Sequence, residues 1–217
     1  MAKSKKKRHP KKKGQSKATG QGGIAWGGPT ARPSDRRWTI ALAGLAVAAA
    51  AAGGYYWWLS AGVGDAFQAL VPQGQAALKQ VESHADRGRG QTHLDSGQIQ
   101  VYGSDQPTSG PHDRTPTDPG FYDDAQPATQ LVHGLEHGHI VIYYDQPDAQ
   151  ALATIKAWAG HFGGHWDGVI AVPQPGLGEG VALTAWTKRL WQERFDPAAT
   201  AAFIDAYRGR GPENPVR

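Results

Sequence analysis

The sequence predicts an α+β fold, a single small mixed-sheet domain with two packed helices over residues 91–217, preceded by one transmembrane helix and a disordered basic tail. Three observations predict it. Short runs rich in β-branched and aromatic residues, such as Ile140–Tyr144 and Val181–Trp186, are separated by Gly/Pro turns. Two later stretches carry apolar residues at helical spacing, each behind an aspartate suited to cap it. Upstream of all of these, no charged residue occurs between Arg37 and Asp65.

Residues 1–37 hold twelve Lys/Arg and one Asp, a net of +11, and such a composition is expected to be disordered. The rest of the chain carries a net of −7, so the overall +4 describes the tail and not the folded part. Trp38–Leu59 is 22 residues long. As a helix it would extend about 33 Å, enough to cross a hydrocarbon core of roughly 30 Å. Tyr55, Tyr56, Trp57 and Trp58 stand where an interfacial aromatic belt belongs, which fits a retained anchor better than a cleaved signal. The positive-inside rule then places the N-terminus in the cytoplasm and everything after Leu59 outside it, a single-pass cell-membrane topology. Membrane lipid is the expected partner of residues 38–59, and anionic headgroups that of the basic tail. Low complexity and few aromatics argue against nucleic-acid binding, and no feature specifies a protein partner. Residues 60–90 read as a stalk, with helical character at Asp65–Ala69 and Gln75–Ser83 broken by Pro72 and Gly74.

Within residues 91–217, Gln98–Tyr102 alternates as a short strand should. Asp105–Pro127 has five prolines and two glycines in 23 residues and reads as a long structured loop. Gly134 and Gly138 favour a tight helical turn or a bulged strand around His133–His139 over a long helix. Ile140–Tyr144 is a central strand by composition. Asp148–His161 is a helix capped by Asp148, and Gly168–Pro173 and Val181–Trp186 are strands. Asp196 and Pro197 open a last helix as N-cap and first residue, running to about Arg208.

The chemistry concentrates in His133–His139, H-G-L-E-H-G-H, and in the proline-braced Pro107–His112. The chain has no Cys, and Met1 is its one Met. That excludes disulfides, thiolate or thioether metal sites and a Cys nucleophile. Imidazoles are the commonest protein metal ligands. His112, His133 and His137 are therefore the leading metal ligands, with His93 as a fourth and Glu136 as carboxylate ligand or orienting group. Such a site suits Zn²⁺ or Cu²⁺. The resulting function is a membrane-anchored, extracytoplasmic transition-metal-binding protein.

Two alternatives stand beside it. In one, a metal-dependent hydrolase uses Glu136 as general base, since H-G-L-E-H matches the H-x-x-E-H pattern of inverzincin proteases; that pattern needs a helix. In the other, a metal-free envelope scaffold uses the histidines structurally. A Ser109–His112 nucleophile pair lacks the strand–elbow–helix context it needs. Tyr122, Asp123 and Asp124 are candidate acceptors for imidazole N–H groups, and His161 and His165 are left outside the site.

The segments T-H-L, S-G-Q-I-Q-V-Y, P-T-S-G-P-H, G-F-Y and L-V-H-G-L-E-H-G-H-I-V-I-Y-Y resemble a family of membrane-anchored proteins, domain-of-unknown-function family 3105. The later L-T-A-W and F-D-P-A-A-T-A-A-F-I-D-A-Y-R-G-R-G-P-E are similar to it as well, so the resemblance spans roughly residues 91–214. It implies an extracytoplasmic domain and carries the family pattern onto His93, Pro107–His112, His133, Glu136, His137 and Gly138. Gln106 departs from it, standing where the family has a proline. The resemblance implies no activity.

Overall fold

The computed structural model describes residues 62–84 and 92–217, together with Leu42. The basic tail and the span Trp38–Leu59, apart from Leu42, lie outside the described residues. Among the described residues no helix is long and apolar enough to cross a membrane.

Among the described residues six strands form one mixed sheet: β1 (Glu82–Ser83), β2 (Gly120–Phe121), β3 (Ile140–Tyr144), β4 (Val169–Pro173), β5 (Val181–Ala185) and β6 (Lys188–Gln192). Their order across the sheet is β1-β6-β5-β3-β4-β2. β3, β4 and β2 run parallel, whereas β5 pairs antiparallel with both β3 and β6. Helix α1 is described over residues 62–70 and continues as a 3-10 helix, Val71–Gln80. Helices α2 (Ala128–His137), α3 (Ala149–His161) and α4 (Pro197–Tyr207) complete the domain.

Strand periodicity sorts the core into two layers. Every residue of β3 is buried. Ile140, Ile142 and Tyr144 face one cluster with Ile155 and Trp158 of α3, Phe203 and Ile204 of α4, and Phe67 of α1. Val141 and Tyr143 point the other way, onto Leu131 and Leu135 of α2. Alternate residues of a strand leave opposite faces, so an uninterrupted apolar run means helices on both sides. The sequence expectation of two packed helices is thus enlarged: α3 and α4 cover one face and α2 covers the other. The caps of α3 and α4 match expectation. Asp148 accepts from the Ala151 N–H at 2.8 Å, and Asp196 accepts from Ala198 and Ala199 at 2.9 and 3.1 Å.

Two local expectations are corrected, and one strand is added. Gln98–Tyr102 is not a strand: it pairs with no strand among the described residues, and Ile99 is 90 % exposed. Lys188–Gln192, for which its Lys, Arg and Gln gave no strand expectation, is strand β6, paired with β1 and β5 and anchored by buried Leu190. His133–His139 is neither a bulge nor a lone turn: residues through His137 belong to the ten-residue helix α2. Residues 62–84 fall in the stretch read as a stalk and pack on this domain, with Phe67 buried against Trp158 and β1 paired to β6.

The long loop is fixed rather than free. Thr187 N–H donates to the Thr108 carbonyl at 2.9 Å, His84 N–H donates to the Thr187 carbonyl at 3.0 Å, and the Thr108 hydroxyl donates to the His84 carbonyl at 2.5 Å. Three segments distant in sequence therefore meet beneath Pro107–His112.

Helix α2 ends at Gly138, whose φ of 98° and ψ of 15° lie in the left-handed region. A Cβ there would also approach Gly211 N and Trp166 O to 2.8 Å. Gly138→Ala is expected to lower stability by about 1–2 kcal/mol from backbone conformation alone, and by more from the clash. Chemical denaturation of the two proteins checks this; an unchanged midpoint would contradict the packing described.

Candidate metal centre

Helical geometry places His133, Glu136 and His137, at i, i+3 and i+4, on one side of α2. Leu131 and Leu135 anchor the helix on the sheet. Gly134 lies within α2 because a Cβ would come within 3.1 Å of both His139 Nδ1 and Ile170 Cδ1. The two glycines that suggested a broken segment thus have separate duties: one lets the helix approach β4, and the other ends it.

The loop carries His112 to this face. His112 and His93 form a parallel backbone bridge, with Leu94 N–H donating to the His112 carbonyl at 2.7 Å and His112 N–H to the Thr92 carbonyl at 3.0 Å. Their rings lie 5.1 Å apart, and each lies about 5 Å from the His133 ring, at 4.9 Å for His112 and 5.0 Å for His93. His93, His112, His133 and Glu136 each offer a donor atom, all within 4.8 Å of one another. A second group, His133, His137 and Glu213, satisfies the same limit.

Hydrogen bonding fixes the His112 tautomer. Its Nδ1 lies 2.8 Å from the Gly110 carbonyl, which can only accept, so Nδ1 carries the proton and Nε2 carries the lone pair. That Nε2 stands 3.0 Å from Glu136 Oε2 in a wholly buried position. The approach misses hydrogen-bond geometry, and His112 Nε2 has no hydrogen-bond partner among the described residues. Two lone-pair atoms this close repel unless a proton or a cation lies between them.

Burial sets the charge states. It pushes the His112 and His137 imidazoles below their ordinary pKa, with Gly110 and Glu213 respectively offsetting part of the effect. Burial, reinforced by neighbouring His112 and His137, takes His133 down to about 4. It raises Glu136 to about 6, helped by the negative charge of Glu213. Buried imidazoles held neutral near pH 7 keep a lone pair for a metal and compete little with protons.

All five residues singled out in the sequence lie in these two groups. Glu213 was not among them. It stands in the segment after α4, whose Gly209 N–H donates to the Gly138 carbonyl at 2.8 Å and whose Glu213 N–H donates to the Glu136 carbonyl at 3.3 Å. The Gly-Arg-Gly-Pro-Glu of residues 209–213 was its one sequence signal. His139 stands outside both groups: its Nε2–H donates to the His165 carbonyl at 2.8 Å, and burial lowers its pKa to about 4. His165 lies at the margin, with its ring 5.0 Å from that of His137. His161 instead contacts Phe162. Tyr122 supports no imidazole; its hydroxyl donates to the Asp118 carbonyl.

Fold and site together define a mixed-sheet domain, helices on both faces, with a buried imidazole–carboxylate cluster at one helix end. The chain belongs to the family described as "Protein of unknown function (DUF3105)", whose model matches residues 93–217. Comparison with curated proteins and with solved structures finds no match.

The pKa shifts set a pH dependence. His133 and His139 bind protons more weakly folded than unfolded, so their contribution is complete above about pH 6.5 and is lost as pH falls toward 4. Glu136 acts oppositely: its raised value favours the folded state below about 4.5, and that benefit is lost as pH rises through 6. Thermal melts of the metal-free protein should show stability declining from pH 7 to pH 4, more shallowly where Glu136 takes up its proton. His139→Gln should flatten the decline; an unchanged slope would refute the assignment.

Proposed function

We propose that this protein is a membrane-anchored, extracytoplasmic binder of a divalent transition-metal ion, held by His93, His112, His133 and Glu136, with His137 beside them. The observation that carries it is the buried 3.0 Å approach of the His112 Nε2 lone pair to Glu136 Oε2. A cation between them relieves the repulsion and uses both donors. The donor set, imidazole and carboxylate without sulfur, suits Zn²⁺ or Cu²⁺. The Gly110 carbonyl behind His112 fixes the ring and its tautomer, as outer partners of metal-bound histidines do.

A hydrolase is the second reading, and the helix favours it. The H-x-x-E-H pattern needs its residues on a helix, and α2 supplies one. Glu136, with its pKa raised to about 6, is suited to exchange protons near neutrality. On this reading His133 and His137 hold the metal and Glu136 is the base.

Stripping the full-length protein with chelator, reloading it with Zn²⁺ or Cu²⁺ and measuring metal by mass spectrometry tests the main reading. One tightly held equivalent is expected. The variants His112→Ala and His133→Ala should weaken binding by roughly 100-fold or more, beyond the effect of losing an outer partner. Equal trace metal in all three proteins would leave a metal-free scaffold as the answer. Hydrolysis of peptide or ester substrates by the loaded protein, abolished in Glu136→Gln at unchanged metal content, would decide for the hydrolase.

The anchoring reading rests on the uncharged run Trp38–Leu59 and the +11 tail before it. The full-length chain should fractionate with membranes, and deletion of residues 1–59 should release it. Recovery of the deleted form in the membrane fraction would contradict a single anchor there.

A further inference from the structure

His133 belongs to both donor groups, and this has consequences for how many ions bind. The second group is built from another part of the chain. Glu213 Oε2 lies 3.1 Å from His137 Nε2 and 3.9 Å from His133 Nε2. Donors around a tetrahedral ion with bonds of about 2.0–2.1 Å stand roughly 3.4 Å apart, so the two distances bracket a ligand edge. The segment that carries Glu213 is held to the end of α2 by backbone hydrogen bonds. Gly211 also packs so closely that a Cβ there would meet the Glu136 carbonyl and Gly138 N. Glu213 is placed by the fold, while its side chain stays 40 % exposed.

We propose that His133, His137 and Glu213 form a second, outer position for a divalent transition ion, alternative to the inner position of His93, His112, His133 and Glu136. The proposal rests on the metal-binding reading above. A neutral imidazole has one lone pair, so His133 serves one ion at a time. The centre thus holds one ion at either of two adjoining positions, and a swing of the His133 bond from one to the other moves it. Glu213, the half-exposed carboxylate, is the ligand at which an incoming chelator or carrier reaches the ion.

Co²⁺ added to the full-length, chelator-stripped protein tests this through its visible absorption. Wild type should take up one equivalent. His112→Ala should still bind one equivalent, more weakly and with an altered spectrum, and Glu213→Gln in that background should abolish the binding. Glu136→Gln, which preserves shape, serves in place of His112→Ala if the latter fails to fold. In the otherwise wild-type chain, Glu213→Gln should keep one equivalent and slow Co²⁺ transfer to EDTA by about tenfold, the lower end of the roughly 10–100-fold range over which partners of a metal site act. Uptake of two equivalents by wild type overturns the proposal. So does binding by the His112→Ala/Glu213→Gln pair that equals the single variant, or EDTA transfer from Glu213→Gln that is unchanged or faster. A wild-type protein that binds no Co²⁺ removes the metal reading itself, a distinct result.

Discussion

Bringing lone pairs together in a dry interior is the demand around which this domain is organised. His112, His133, Glu136 and His137 are all buried, and His112 Nε2, His133 Nδ1, Glu136 Oε1 and His137 Nδ1 lack hydrogen-bond partners among the described residues. A buried polar group left unpaired costs about 1–3 kcal/mol. Four at one locus would consume a large share of a domain's net stability of roughly 5–15 kcal/mol. The surrounding structure supplies the compensating rigidity: two-sided burial of β3 seats α2, the His93–His112 bridge positions the loop, and the three-way contact of Thr108, Thr187 and His84 holds that loop down. A cation between His112 Nε2 and Glu136 would convert part of that cost into bonding. This is why the cluster is more economically read as a ligand site than as core histidines.

His139 shows what the alternative looks like in the same protein. It is as buried as His112 and, like it, donates one ring N–H to a carbonyl while its other ring nitrogen has no hydrogen-bond partner among the described residues, yet it stands outside both donor groups. The difference is one of place in the fold, not of burial, hydrogen bonding or residue type, and so no count of histidines could have revealed it.

Much of the architecture was legible because it is local. Apolar runs specify β3, β4 and β5, and aspartate caps specify α3 and α4. What was illegible depends on partners far along the chain. Helix α2 begins at Pro127 without a side-chain cap and carries Gly134 in its body, so its local signals are poor; packing of Leu131 and Leu135 on the sheet stabilises it. Gln98–Tyr102 shows the reverse, a good strand pattern that pairs with no strand among the described residues. In the site, the histidines stood out by density and by the proline brace before His112. Glu213 did not, because an exposed carboxylate after the last helix becomes informative only once Gly209 is seen to bond Gly138.

The donor groups draw on residues as far apart as His93 and Glu213, joined through a helix, a bridge and the segment after α4. Contacts so distant in sequence close late, after loop entropy has been overcome and the sheet has formed. An ion gripped by such a centre would find few of its ligands assembled in the folding transition state. It would therefore leave the rate of folding nearly untouched and act on the rate of unfolding, making the ion a kinetic latch on the finished domain and not a nucleus for building it.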